Sequence, residues 1–271
     1  LRARGLTVQS FKVGPDYIDL GYHRLASGRT GHNLDTWLVP EARLTEIFAR
    51  ECAGADIAVI EGVMGLYDGG RRGISSTAAI AKALGAPVLL VIDAKSVGAS
   101  AAATALGFRV YDRDINLAGV LLNRLGSGTH EEMIREAMTG IDLRVYGALR
   151  RDPALSLPER HLGLTPVEEH AAAAMIRAVG ERVETGLDLD GILELAKSAT
   201  PLSITESRNA EKFVPVRIGV ARDEAFSFYY AASLAELEAH GAEIVAFSPL
   251  HDEALPDVDG IIIGGGFPEM F

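Results

Sequence analysis

Short apolar runs alternate with helical patterns along nearly the whole chain, and no other feature narrows the fold as much. Residues 6–11, 57–60, 88–92, 117–122 and 146–149 read as strands, and those at 57–60, 88–92 and 117–122 are apolar throughout. Helical patterns lie between them, most clearly at 41–53 and in the Ala-rich stretch 77–84, which stops at Gly85. Strands without polar alternation are buried on both faces, and helices of ~10 residues between them supply the cover. The fold class is therefore α/β, with a parallel sheet and flanking helices. Helices are expected at 166–184, with Pro at its first turn, and at 189–199. The segment 152–165 carries Pro153 and Pro158 and no clean period, so it reads as a functional or connecting loop.

A polar stretch at 200–215, with prolines at both ends, reads as a linker. A new β-α-β pattern follows: strand 216–220, helix 225–240, a stop at Gly241, and strands 243–247 and 261–263. This divides the chain into a first domain at 1–199 and the first part of a second α/β domain at 216–271. The chain opens at Leu1 without Met and stops at Phe271 just after an apolar run and three glycines, so a fragment of a longer protein is expected.

Charge and cysteine content exclude several functions. There are 26 basic and 37 acidic residues, a net charge of −11, and no long basic run, so electrostatic binding to nucleic acid or an anionic membrane is not expected. An acidic substrate would have to be met by locally placed Arg and Lys. No apolar stretch approaches the ~20 residues needed to span a bilayer. A single Cys rules out a disulfide framework and a Cys-based zinc site, and it suits a reducing, cytoplasmic compartment.

Ligands of parallel α/β sheets sit beyond the carboxyl ends of the strands. After the first strand come Lys12, Gly14-Pro15, Asp16, Tyr17 and Asp19. The turn forced by Gly14-Pro15 can bring Lys12 and the two carboxylates together, a set that suits phosphate and magnesium chemistry. A solvated loop with a local ion pair is the plainer alternative. Glu61 follows the second strand directly, where nucleotide-binding α/β proteins hold Mg²⁺, and glycines crowd the loop behind it. Arg71 and Arg72 could face an anionic substrate or simply solvent. After the third strand, Ser96 and Ser100 fit helix capping better than anion binding. Asn123, after the fourth strand, offers both a donor and an acceptor for a base edge.

Cys52 reads as a packed helix residue, and His23 and His32 lack metal-ligand spacing. His161 suits catalysis, loop packing or substrate contact equally. Glu131, Glu132, Glu168 and Glu169 read as solvated helix faces. No Gly-x-x-x-x-Gly-Lys-Ser/Thr loop occurs in these residues, although the first strand-end cluster calls for one before it.

Several stretches together resemble the cobyrinic acid a,c-diamide synthase family, glutamine-dependent enzymes of cobalamin biosynthesis. They are FKVGPDYID at 11–19, NLDTWL at 33–38, VIEGVMGLYDG at 59–69, LLNR at 121–124, LPERHLGL at 157–164, AFSFYY at 225–230, FSPLHDEALP at 247–256 and GGGFPE at 264–269. The resemblance implies a P-loop-type, ATP-dependent synthetase domain followed by a flavodoxin-like class I glutamine amidotransferase domain. It implies a carbon–nitrogen ligase: ATP phosphorylates the c and then the a carboxylate of a corrinoid polycarboxylate, and ammonia from glutamine displaces phosphate.

By position, the resemblance puts Lys12 beside the phosphates, Glu61 and Asp16 on Mg²⁺, and Asp16 and Asp19 at substrate activation. It puts Asn123 near the adenine, Tyr17, Arg71 and Arg72 at the substrate, and Gly265 and Gly266 in the oxyanion loop. It is compatible with a homodimer. A phosphate loop, an amidotransferase cysteine and its His-Glu partners are not among these residues, so residues 1–271 alone are expected to be inactive. Two readings compete: a hydrogenobyrinate or nickel-sirohydrochlorin a,c-diamide synthase, and a non-catalytic P-loop-like binding module.

Overall fold

The computed structural model describes residues 1–153, 159–160, 163–164, 172–202 and 215–271. The first part of the chain builds two parallel three-stranded groups. In one, β1 (Val8–Val13) lies between β2 (His32–Leu34) and β3 (Ile57–Glu61). In the other, β5 (Leu117–Leu125) lies between β4 (Val88–Asp93) and β6 (Val145–Arg150). Their helices are α1 (Asp19–Ser27), α2 (Glu41–Glu51), α3 (Thr77–Ala83), α4 (Ser100–Tyr111) and α5 (Gly128–Thr139). A two-residue antiparallel hairpin, β7 (Glu159–Arg160) with β8 (Gly163–Leu164), precedes α6 (Ala172–Gly186) and α7 (Leu189–Ala196). No helix among the described residues is long and apolar enough to cross a membrane.

The strand positions follow from burial. Every residue of β1 is buried, as a central parallel strand requires. Phe11 is wholly buried, with Phe48 of α2 at 4.7 Å between ring centroids. It anchors a cluster with Val13, Leu34, Leu44, Ile80 and Leu84. A second cluster packs α4 and α5 on β5 through Ala101, Ala105, Val120, Leu122, Ile134 and Met138. The connecting helix α3 serves both, placing Ile80 in the first and Ala78 in the second. Its start is fixed by Ser76, whose hydroxyl accepts the Ala79 N–H at 3.1 Å.

The periodicity predicts one continuous sheet, but the hydrogen bonding divides it. β3 and β4 follow each other in sequence without belonging to the same group, and each is an edge strand. Both leave apolar side chains open, Val59 at 43% and Val91 at 62% exposed, on strands whose sequence reads as doubly covered. The short β2 and the helix α1 also arise where the sequence reading assigns no element.

The second part of the chain forms its own parallel group, with β9 (Val216–Ala221) between β10 (Ala242–Phe247) and β11 (Gly260–Ile262), and α8 (Ala231–Ala239) beside them. The helix begins six residues later than its apolar pattern suggests. Asp223 Oδ1 draws the N–H groups of Ala225 (2.9 Å) and Phe226 (3.0 Å) into a turn, and Phe228 pairs with Gly265 as an isolated bridge. Residues 203–214 of the expected linker lie outside the described residues, as do His161, Glu168 and Glu169.

The contrast between the central and open strands can be measured. Phe11→Ala should destabilise the fold by about 3–5 kcal/mol, the cost of emptying a large core position. Val91→Ala should stay within about 0.5 kcal/mol, as a surface substitution does. Urea unfolding of the two variants, followed by circular dichroism, reads both; equal losses would contradict the open edge at β4.

Candidate active site

The strand register brings Lys12 and Glu61 together, as parallel partners at the carboxyl ends of β1 and β3. The Lys12 ammonium is buried, and its three donors have three acceptors. Nζ lies 2.6 Å from Asp19 Oδ2 and 3.1 Å from Glu61 Oε1, and it donates to the Gly62 carbonyl at 3.2 Å. Burial alone would lower the Lys12 pKa, but the Asp19 hydrogen bond and the Glu61 charge hold it above the ordinary value. Burial would raise the Glu61 pKa, yet the hydrogen bond from His23 and the Lys12 charge keep its carboxyl below the usual range.

His23 is the member of this cluster that sequence reasoning missed. Its Nε2 lies 2.6 Å from Glu61 Oε2. Judged only for metal-ligand spacing, His23 gives no signal; its place on α1, directly after the Asp16–Asp19 turn, is the feature that could have found it. Asn33 was likewise passed over within NLDTWL. Its Nδ2 donates to the carbonyls of Gly14 (2.8 Å) and Asp16 (2.7 Å), bracing the turn from β2. Gly14 sits at φ +86°, a conformation that favours glycine.

Asp16 itself closes the turn: its Oδ1 accepts the Asp19 N–H at 2.9 Å. Tyr17 packs its ring on two rings of the second domain, Phe228 at 5.1 Å and Tyr230 at 4.5 Å. Its stacking surface is thus engaged within the chain, which leaves less of the ring for the substrate contact expected of it.

A second set of residues lies at the ends of β4 and β5. Asn123 is exposed, and its Oδ1 accepts the N–H of Arg124. Arg124, at φ +61°, reaches Asp93 at 2.8 Å, across the register pair Asp93–Asn123. Arg71 is exposed in the turn after β3; the side chain of Arg72 lies outside the described residues. That turn is tied to the loop after β2. The buried Asp35 accepts both the Trp37 N–H (2.7 Å) and the Ser75 hydroxyl (2.5 Å) through Oδ1. Trp37, the only tryptophan of the chain, has a fixed backbone and a side chain 79% exposed.

Among the described residues, no group of three or more His, Cys, Asp and Glu could hold a metal ion. A protein-built cage is therefore not what Glu61 and Asp16 offer. Mg²⁺ is commonly bound through one or two carboxylates plus substrate phosphates. A half-exposed Glu61 beside a lysine fits an ion that arrives with a nucleotide.

In the second domain, the glycine loop follows β11. A Cβ on Gly266 would lie 1.9 Å from the Ala225 carbonyl oxygen, so a side chain there would force this loop and the 225–226 backbone apart. The Gly264 N–H donates to Tyr229 Oη at 2.8 Å, and Tyr229 Oη donates in turn to the Ala221 carbonyl. Asp223 ties this region together, also accepting the Ser248 hydroxyl at 2.8 Å. Burial would raise its pKa, but hydrogen bonds from Ser248, Leu250, Phe226 and Ala225 hold it below the ordinary range. Cys52 caps α2 in the first domain, and burial pushes its thiol up to about 11, the reverse of what a nucleophile needs.

The Lys12–Glu61 pair carries a pH signature. A lowered Glu61 pKa adds stability above the ordinary value of 4.5 that is lost as pH falls through the folded value. A raised Lys12 pKa adds stability below 10.5 that is lost as pH rises through the folded value. The stability gap between the natural chain and Glu61→Gln should be flat between these limits and narrow on either side. Urea titrations across pH check this, and a gap independent of pH would contradict it.

Comparison with known proteins matches the same two regions. Residues 27–159 match an AAA domain, and residues 217–271 match the CobB/CobQ-like glutamine amidotransferase domain. Cobyrinate a,c-diamide synthase of Methanobrevibacter smithii is 45% identical over 273 residues, covering 97% of this chain and 60% of that protein. Hydrogenobyrinate a,c-diamide synthase of Thermobifida fusca is 46% identical over 290 residues, covering all of this chain and 61% of that protein. Cobyrinate a,c-diamide synthase of Dehalococcoides mccartyi is 46% identical over 286 residues, covering all of this chain and 60% of that protein. The chain thus spans about 60% of the length of these curated relatives. Over essentially all of its own length, and with both domains in this order, the chain is similar to the cobyrinate and hydrogenobyrinate a,c-diamide synthases.

Proposed function

We propose that this chain contributes the carboxylate-activating site, and part of the glutamine site, of an enzyme that amidates the a and c carboxylates of a corrinoid. The convergence of Lys12, Asp19 and Glu61 at the ends of two adjacent parallel strands carries this reading. A fixed positive charge flanked by carboxylates at a strand end suits phosphoryl transfer, where catalysis consists mainly of positioning and charge stabilisation. A substrate carboxylate oxygen attacks the γ-phosphorus of ATP and ADP leaves. Ammonia then attacks the acyl carbon, loses a proton, and inorganic phosphate departs with the carboxylate oxygen.

In this scheme the Lys12 ammonium neutralises charge on the transferred phosphoryl group. Glu61 would hold Mg²⁺, which neutralises phosphate charge when bound. Asp19 keeps Lys12 aimed along the strand end, Asp16 holds the turn that carries Asp19, and Asn123 faces the adenine. Arg71 meets the peripheral carboxylates of the substrate, and exposed Trp37, backed by the Asp35 brace, offers a flat apolar face to the macrocycle. The open edges of β3 and β4 suit an added parallel strand with a phosphate loop beside Lys12. Gly265 and Gly266 give backbone N–H groups to the oxyanion formed as glutamine is hydrolysed. The thiol for that step is not Cys52, so residues 1–271 do not perform it unaided. A cytoplasmic setting agrees with the low cysteine content.

The relatives named for cobyrinate and those named for hydrogenobyrinate match about equally well. The corrinoid therefore enters the proposal with or without its cobalt.

Two variants separate the half-reactions in a chain extended to the length of the relatives. Glu61→Gln should lower amidation with either glutamine or ammonia by about 10²–10³, the scale of one lost electrostatic contact at a transition state. Gly266→Ala should lower only the glutamine-dependent rate, by a similar factor of about 10²–10³. Steady-state rates with the two nitrogen donors check this. Loss of ammonia-dependent amidation in Gly266→Ala with retention in Glu61→Gln would reverse the assignment.

A further inference from the structure

The helix α1 supplies a partner to each member of the strand-end pair. Asp19 and His23 lie one helical turn apart on the same face of α1, at i and i+4. Asp19 reaches Lys12 on β1, and His23 reaches Glu61 on β3. The Glu61 carboxylate is thereby held at both oxygens, Oε1 by Lys12 at 3.1 Å and Oε2 by His23 Nε2 at 2.6 Å. An ionised carboxylate only accepts hydrogen bonds, so His23 carries a proton on Nε2 and donates it. With that nitrogen spent as a donor, His23 acts on the site only through Glu61.

We propose that His23 is a positioning residue for phosphoryl transfer: by holding Glu61 Oε2 it fixes the orientation in which the Glu61 carboxylate meets Mg²⁺. The inference rests on the role proposed above for Glu61. Three observations carry it. First, the Glu61 side chain is half exposed, whereas that of His23 is largely buried. With Lys12 as its one anchor, a half-exposed carboxylate could still rotate; the second anchor, set in a packed helix, removes that freedom. Second, the ring engages through one nitrogen. His23 Nδ1 is buried without a hydrogen-bond partner among the described residues. A buried unpaired nitrogen is costly, so an apolar residue would serve packing better, and the contact with Glu61 is what the imidazole adds. Third, α1 comes close to the strands because Gly31, just before β2, has no side chain. A Cβ there would lie 2.7 Å from Leu20 Cδ2 and 3.4 Å from His23 Cβ. A side chain at this position would crowd α1, and with it the reach of His23 to Glu61.

The test uses the chain extended to the length of the relatives. ATP affinity is measured by calorimetry with Mg²⁺ and with EDTA in its place, alongside ammonia-dependent amidation. The amide nitrogen of a glutamine reaches about as far as imidazole Nε2, whereas that of an asparagine reaches only as far as Nδ1. His23→Asn and His23→Leu should each lower MgATP affinity and amidation by about 10–100-fold, the usual cost of removing a group that orients a ligating side chain. ATP affinity in EDTA should stay unchanged. His23→Gln should recover most of the loss, because it restores a donor at the right distance. In the Glu61→Gln background, His23→Asn should add no further loss, since two residues that act through one contact are not additive.

Equal behaviour of His23→Asn and His23→Gln would overturn the inference, because reach would then not matter. Losses of equal size with Mg²⁺ and with EDTA would also overturn it, being the mark of a loosened α1. So would a full further loss on adding His23→Asn to Glu61→Gln. Unchanged MgATP affinity and amidation in Glu61→Gln alone would instead overturn the role proposed for Glu61, on which the inference rests. Should His23→Leu fail to fold, the comparison of the two amides decides.

Discussion

The candidate site depends on one buried cation. Lys12 sits at the end of a wholly buried strand, where an unpaired ammonium would be costly. It is retained because the strand register places Glu61 beside it, the turn returns Asp19 to it, and Gly62 completes its donors. Removing one partner from such a set leaves the remaining charge uncompensated, so the three residues stand or fall together. The positions of α1, of His23 on it, and of Tyr17 in the preceding turn follow from the same closure. A buried charge with two carboxylates among its three partners is also one that a nucleotide phosphate can recruit, since phosphate oxygens can replace carboxylate oxygens around the ammonium.

The second domain repeats the logic with a different group at the centre. Asp223 sits just past β9 and collects N–H and O–H donors from Ala225, Phe226, Ser248 and Leu250. That collection keeps 225–230 out of helix and presents it as an extended strip. The strip has the first domain's turn on one side and the glycine loop on the other. The arrangement of Asp223 thus decides whether two loops from different domains can touch.

Much of the fold was readable before the structure. Strands β3, β4 and β5 follow from apolar runs, β1 and β9 from shorter apolar patterns, and α3 from an Ala-rich pattern ended by glycine. The readable part of the site was the part lying directly at strand ends, Lys12 and Glu61. What was missed depends on contacts between distant residues. His23 meets Glu61 only because α1 turns back over β1. Asn33 acts through its amide on a loop nineteen residues earlier. The late start of α8 reflects a carboxylate outcompeting a good helical pattern. The break between β3 and β4 is a matter of strand pairing, on which hydrophobic periodicity is silent. Tyr17 shows the limit from another direction: its place in the motif implied a substrate contact, whereas its ring partners come from residues more than two hundred positions away.

The central claim is that a substrate carboxylate is phosphorylated at the Lys12–Asp19–Glu61 cluster before nitrogen arrives. Oxygen transfer tests it most directly. A corrinoid labelled with ¹⁸O in its carboxylates, amidated with ammonia and ATP by the protein at the length of its relatives, should deliver one labelled oxygen to inorganic phosphate for each amide formed. Label appearing in AMP, or no label in phosphate while amide accumulates, would contradict the account.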